Sequence, residues 1–302
     1  MKRLVKPPQT RQERQQFAAT SVPPALVVAT RVPGSLTSGE RDGAIGPNDS
    51  MVAKDSYQLP GLKISGLHAQ ALQEMGLAIV DGQVAPGQSL TIEELEQRLG
   101  VSRSVVRECL RTLSALGMVE SRRRVGVTVL PMAEWNVYDL NVVRWRLESG
   151  RRNQQLQSIT ELRNAIEPEA VRLACLRATH AEAADLVAIA GQLWSAGKQG
   201  NNDDFLNLDI AYHQFVLRLS GNEMFAKLQS MIAEILVGRS NHGLMPQFPH
   251  EEALQLHVDI AHAVQRRDAD GAALAMHAIL DRTFSEMGSI WQASGGQEPF
   301  GA

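Results

Sequence analysis

Gly100-Val101-Ser102-Arg103-Ser104-Val105-Val106-Arg107-Glu108-Cys109-Leu110-Arg111 combines a turn, a helix start and three arginines one helical turn apart. Gly100 supplies a tight turn after the apolar-periodic stretch from Thr91 to Leu99, and the Ser102 hydroxyl is suited to cap the helix that follows. Val106, Leu110 and Leu113 fall at i, i+4 and i+7 and predict a buried face. Arg103, Arg107 and Arg111 lie roughly 100° round from that face and point outward. Arginines so placed reach phosphate oxygens or the guanine O6/N7 edge in the major groove of double-stranded DNA. The blander reading is a solvated helix face.

The next residues favour DNA. Gly117-Met118-Val119-Glu120 ends the helix, and Ser121-Arg122-Arg123-Arg124-Val125-Gly126-Val127-Thr128-Val129 predicts two short strands around a basic turn. A hairpin beside a recognition helix is a wing, whose tip can enter the minor groove or hold the phosphate backbone. Between Val101 and Pro131 six arginines stand against two glutamates, in a chain whose net charge is −3. Positive charge is thus concentrated where DNA would lie.

These residues, from about Leu67 to Pro131, resemble the DNA-binding domain of the GntR superfamily of bacterial transcription regulators, the signature being Leu99 to Leu110 and the wing Arg124-Val125-Gly126. The resemblance implies DNA contacts from Arg103, Arg107 and Arg111, with Ser102 and Ser104 beside them, and from Arg122, Arg123 and Arg124. It also implies that Gly126 lets the wing backbone approach DNA closely. Many members carry an arginine in the helix before the turn, where this chain has Ile92-Glu93-Glu94, and the wing arginines are expected to compensate.

At 302 residues and 44% hydrophobic content, two packed domains are expected. No apolar run approaches the roughly 18 to 20 residues that span a bilayer, and the start lacks a signal-peptide pattern, so a cytoplasmic protein without membrane partners is expected. The two cysteines, Cys109 and Cys175, fall in different predicted domains and read as core fillers. Residues 1–60 hold seven of the thirteen prolines and no tryptophan, and predict a disordered extension. Lys2, Arg3, Lys6, Arg11 and Arg14 there read either as a basic arm on DNA or as an inert tail, and Met51 offers an alternative translation start.

The expected organisation is mainly α: a winged helix-turn-helix over 61–131, with three helices and a small β-wing, then an all-α antiparallel bundle of six to seven helices over 132–293 and a flexible tail over 294–302. Seven helical segments can be drawn, at about 134–149, 153–179, 181–199, 202–220, 222–240, 249–266 and 268–293, with Pro168 expected to kink or divide the second.

Asp209 and His213 stand at i and i+4 on one helix face, and His257 lies on a later helix. One carboxylate and two imidazoles can hold zinc, nickel or manganese, with water or ligand oxygens completing the shell; an ordinary Asp–His hydrogen bond is the alternative. Arg163 can hold a carboxylate bidentately or pair with Glu167 at i+4. Asn222 can bond a ligand hydroxyl or cap the next helix, and His242 can bond a hydroxyl or simply lie in a loop.

From Trp135 to about Glu286 the chain resembles the FCD ligand-binding domain of the FadR branch. The resemblance rests on Glu161-Leu162-Arg163-Asn164-Ala165-Ile166-Glu167-Pro168, Asp209-Ile210-Ala211-Tyr212-His213, Ser220-Gly221-Asn222 and His257 to Val264 followed by Asp268. It implies a metal site at Asp209, His213 and His257, whose fourth family position is Ile279 and not a histidine. His277 is two residues away, about 200° of helix rotation, and is expected to face elsewhere. Trp135 to Trp145 and Leu162 to Arg177 are similar to regulators of galactonate and related sugar-acid catabolism, although Trp135 and Trp145 themselves read as interdomain packing. The implied protein is a homodimeric repressor on a short inverted-repeat operator, released by a small organic acid such as an aldonate or hexuronate held near Arg163, Asn222 and His242. Rival readings are a hydroxy-acid or fatty-acyl effector, and a metal-dependent enzyme using Asp209, His213 and His257.

Overall fold

The computed structural model describes residues 66–122, 126–246 and 248–293. The expected 1–60 extension with its basic arm, the 294–302 tail, Arg123, Arg124 and the Arg122 side chain lie outside the described residues.

Three helices and a small sheet make the first core: α1 (Leu67–Val80), β1 (Ser89–Leu90), α2 (Ile92–Leu99), α3 (Arg103–Ala115), β2 (Val119–Arg122) and β3 (Gly126–Val129). A capping box starts α2, in which the Thr91 hydroxyl accepts from the Glu94 amide and the Glu94 carboxylate accepts from the Thr91 amide. Gly100 ends α2 in the left-handed conformation. Val106, Leu110 and Leu113 of α3 are buried against Leu95 and Ile79, as the spacing predicts. Ser102 does not cap α3 with its side chain; its hydroxyl lies 2.9 Å from that of Ser104 instead.

The wing strands pair antiparallel from Val119↔Val129 to Arg122↔Gly126, and β1 adds a third strand on the far side of β3. At two residues β1 is too short to show alternation in sequence. It also supplies a reason for Gly126, which has φ +103 and where a Cβ would stand 2.6 Å from the Leu90 carbonyl oxygen. The close approach answered by this glycine lies within the sheet.

A 3-10 turn (Met132–Glu134) leads to α4 (Leu140–Glu148), so the first predicted segment begins six residues later than drawn. Asp139 fixes that start by accepting from the Asn141 amide. One face of α4 puts Val142 and Trp145 into the first core, and the other puts Val143 and Leu147 into the second.

The second core is an all-α bundle: α5 (Arg152–Arg177), α6 (His180–Gln199), α7 (Asn202–Leu219), α8 (Glu223–Lys227), α9 (Gln229–Asn241), α10 (Glu251–Arg266) and α11 (Ala269–Ala293). The segment drawn as 222–240 breaks at Leu228 into α8 and α9. Pro168 does not divide α5; one missing amide is tolerated inside a 26-residue helix whose flanking turns are buried. The helix α5 packs against α7, α10 and α11, which sets its middle turns facing theirs. Among the described residues no helix is long and apolar enough to cross a membrane.

Candidate functional site

On the first core, Arg103, Arg107 and Arg111 are all exposed along α3, and Ser102 and Ser104 are exposed at its start. Arg107, Arg111, Ser114 and Ser121 line a concave surface running from α3 towards the wing. Arg103 pairs with Glu93 at 2.7 Å and Arg111 with Glu108 at 2.6 Å, whereas Arg107 makes no hydrogen bond or ion pair among the described residues. Exposed pairs of this kind add little stability because solvent screens them, so a phosphate can displace them readily. Glu93 and Glu94, where the family pattern carries an arginine, are thereby accounted for: one holds Arg103 and the other completes the helix cap.

In the bundle, α5, α7, α9, α10 and α11 converge on a cavity of about 50 Å³. Asp209, His213 and His257 all line it and are buried, and one ligand atom from each lies within 4.8 Å of the others. His257 Nε2 is 3.2 Å and His213 Nε2 3.4 Å from the same oxygen, Asp209 Oδ1. The opposite nitrogens are engaged behind the site. His257 Nδ1 lies 2.8 Å from the Ala253 carbonyl, and His213 Nδ1 lies 2.6 Å from Glu167 Oε2, close but off the line of a hydrogen bond. A carbonyl only accepts, so His257 carries its proton on Nδ1 and turns Nε2 toward Asp209.

This donor set fits a divalent cation. With both imidazoles neutral and protonated on Nδ1, two nitrogen lone pairs and a carboxylate oxygen point at one another, an arrangement that a cation between them stabilises. Borderline zinc or nickel suits two nitrogens and one oxygen, and the harder manganese would draw more on the carboxylate and added water oxygens. Ile279 stands in the same cavity wall and offers no donor, while His277 is exposed on the other side of α11, as the rotation predicts. Three protein ligands leave coordination positions for water or a ligand oxygen.

The surrounding charges are tightly arranged. Arg163 lines the cavity but is bound to Glu167, Nε to Oε1 at 2.5 Å, and both are buried. Burial alone would raise the Glu167 carboxyl; Arg163 first, and then His213, outweigh it and hold it at about 2. Burial likewise opposes ionisation of Asp209, and its two histidine partners overcome it, leaving that carboxyl well below its usual range. Burial pushes His213 down, Glu167 pulls it up, and the balance is upward.

Neither Asn222 nor His242 lines this cavity. Asn222 Oδ1 accepts from the Met224 amide and caps α8, and His242 sits at the end of α9, so both are placed by helix termini. Two residues not drawn from the sequence belong to the site. Glu167 is recognisable at i+4 from Arg163, but its reach to His213 crosses between helices. Arg239 of α9 is buried in the cavity wall. Its signal is an arginine on the apolar stripe of Ile232, Ile235 and Leu236.

Residues 67–129 match the family model described as bacterial regulatory proteins, gntR family, and residues 158–282 match the FCD domain. The galactonate operon transcriptional repressor of Escherichia coli K12 is 31% identical over 223 residues, 70% of this chain and 94% of that protein. The HTH-type regulator YieP of the same strain is 28% identical, over 69% of this chain and 90% of its own length. The HTH-type transcriptional repressor RspR, also from that strain, is 26% identical, over 71% and 86% respectively. These relatives are regulators and not enzymes, and the chain, which spans nearly the whole of the first of them, belongs to the GntR family of bacterial regulatory proteins as a DNA-binding transcriptional regulator with an FCD domain.

Proposed function

We propose that this regulator is a homodimeric repressor of a carbon-catabolic operon, of the FadR branch, and that a small sugar acid entering the bundle of 132–293 releases it from an inverted-repeat operator. The cavity carries this reading. Its floor holds Asp209, His213 and His257, and its wall sets Arg163, Arg282, Thr283 and Glu286 beside Phe205, Leu236 and Ile279, so a polyhydroxylated acid finds donors and acceptors, while about 50 Å³ is too small for a long acyl chain. A cavity of about 50 Å³ takes several waters, or a carboxylate with its neighbouring carbons, leaving the rest of a sugar acid at the mouth beside Arg282 and His250. The galactonate repressor's name supports the same class. Asp209, His213 and His257 would hold a metal ion, which when bound supplies positive charge and open coordination positions for ligand oxygens. Glu167 orients His213, and Arg163 fixes Glu167.

The test is a thermal-shift screen against aldonates, hexuronates, short hydroxy acids and fatty acids, with and without a chelator. Stabilisation confined to sugar acids supports the reading, and silence across them overturns the sugar-acid class. For the metal, chelation of protein saturated at 100 times its dissociation constant should remove about 2.7 kcal/mol of stability. Asp209→Ala should abolish that chelator effect, and an unchanged melting curve after chelation in the parent protein would exclude a bound ion.

On the DNA side, Arg107→Ala should weaken operator binding by about 1 to 3 kcal/mol without lowering the melting temperature, because this exposed arginine has no partner to lose among the described residues. An electrophoretic titration giving parental affinity would remove α3 as the reading element.

A further inference from the structure

We propose that Arg239 receives the anionic group of the effector, facing the Asp209, His213 and His257 cluster across the cavity, and that the ligand class is therefore a small acid with an oxygen donor beside its carboxylate. The inference rests on the cavity being the effector site and goes further by assigning the charge recognition to a particular side chain.

The assignment follows from which cations in the wall are already neutralised. Arg163 is closed by Glu167, Nε to Oε1 at 2.5 Å with a second contact of 3.4 Å. Arg282 is held by Glu286 at 3.1 Å and also by Glu252. Arg239 is 4% exposed, makes no hydrogen bond or ion pair with its guanidinium among the described residues, and leaves its Nε buried without an acceptor. Asp209 and Glu286 stabilise this charge only through space, and a buried charge with no hydrogen-bonded partner is unfavourable, so the position is suited to an anion that arrives from outside. Burial first and Arg163 second lower the Arg239 group to about 10, still far above neutrality, so it remains charged.

Geometry gives the class of ligand. A guanidinium fork matches the two oxygens of a carboxylate, which a compact ammonium cannot do. The cluster across the cavity contributes one carboxylate and two imidazoles, a set that attracts an ion with open positions for oxygen donors. A molecule spanning both needs a carboxylate at one end and a hydroxyl or second oxygen next to it. A simple alkanoate satisfies only Arg239, and a neutral polyol only the cluster.

The test compares the full-length protein with Arg239→Met and Arg239→Lys, using lactate and galactonate as acids and lactamide and galactonamide as neutral counterparts. The parent should bind at least one acid and prefer it to its amide. Arg239→Met should lose about 10- to 100-fold in affinity for that acid, the range for hydrogen bonds to a charged group, and lose the preference over the amide. Arg239→Lys should recover only part of it. Zinc affinity, measured by indicator competition, should be unchanged or tighter in Arg239→Met, because a nearby positive charge has gone. The melting temperature of ligand-free Arg239→Met should match or exceed that of the parent, since an unpaired buried charge is removed. Parental acid affinity in Arg239→Met overturns the proposal, and so does a fall in ligand-free stability, which would mean that Arg239 has a structural partner. If the parent binds neither acid, the effector reading of the cavity fails first and takes this proposal with it.

Discussion

Glu167→Ala should lower the stability of the bundle by about 3 to 5 kcal/mol, the range for removing one partner of a buried ion pair. Glu167 is fully buried and its two oxygens serve Arg163 and His213, so the truncation strands a buried guanidinium and an imidazole together. At about 2 to 4 °C per kcal/mol for a domain of 150 to 250 residues, the melting temperature should fall by roughly 6 to 20 °C. Glu167→Gln keeps the volume and one acceptor and should cost less. If Glu167 also orients His213 for a metal, the same substitutions should weaken metal binding by about 10- to 100-fold, as loss of an outer-shell partner does. Urea denaturation of the metal-free proteins isolates the first effect, and metal titration of the folded Glu167→Gln variant isolates the second. A Glu167→Ala midpoint equal to the parent's would mean the ion pair contributes nothing.

The contrast between Glu167 and Asp209 shows what a single sequence discloses here. Asp209 and His213 are legible because i, i+4 spacing puts them on one face, and the outward arginines of α3 are legible for the same helical reason. The contact between Glu167 and His213 spans two helices, and no periodicity within either segment encodes the distance. Arg239 is hidden differently: its helix shows an apolar stripe, and an arginine within it looks like an ordinary surface residue until the neighbouring helices cover it. Asn222 and His242 stand at helix ends and do not line this cavity, and β1 is missed because two residues cannot display a strand period. The order of elements was therefore readable from local pattern, whereas the cavity wall depended on long-range packing.

Trp145→Ala should cost about 3 to 5 kcal/mol, the usual range for truncating a fully buried tryptophan, and should also uncouple the two cores. Trp145 is 1% exposed and lies so close to α1 that a Cβ on Gly76 would come within 2.3 Å of its ring. Its Nε1 donates to Gln73 Oε1 at 2.7 Å, and Gln73 Nε2 donates in turn to Glu148 at 2.6 Å, so α4 is pinned to α1 by packing and by two hydrogen bonds. The other side of α4 meets α9: Leu147 packs against Gly238, and Arg144 bonds Glu234 at 2.5 Å. Arg239, the next residue after Gly238, is in the cavity wall. If a bound acid displaced α9, the one short helix with an apolar face in each core would carry that movement to the DNA-binding core. Coupling between two ligands of one protein is commonly about 1 to 3 kcal/mol, or 5- to 150-fold in affinity. In Trp145→Ala, at a temperature where it remains folded, acid affinity should stay near the parental value while the effect of acid on operator affinity falls toward onefold. Arg107→Ala should show the opposite pattern, with weaker operator binding but an intact response ratio. Parental acid response in folded Trp145→Ala would exclude α4 as the connection, and the contact between α1 and α4 would then be packing alone.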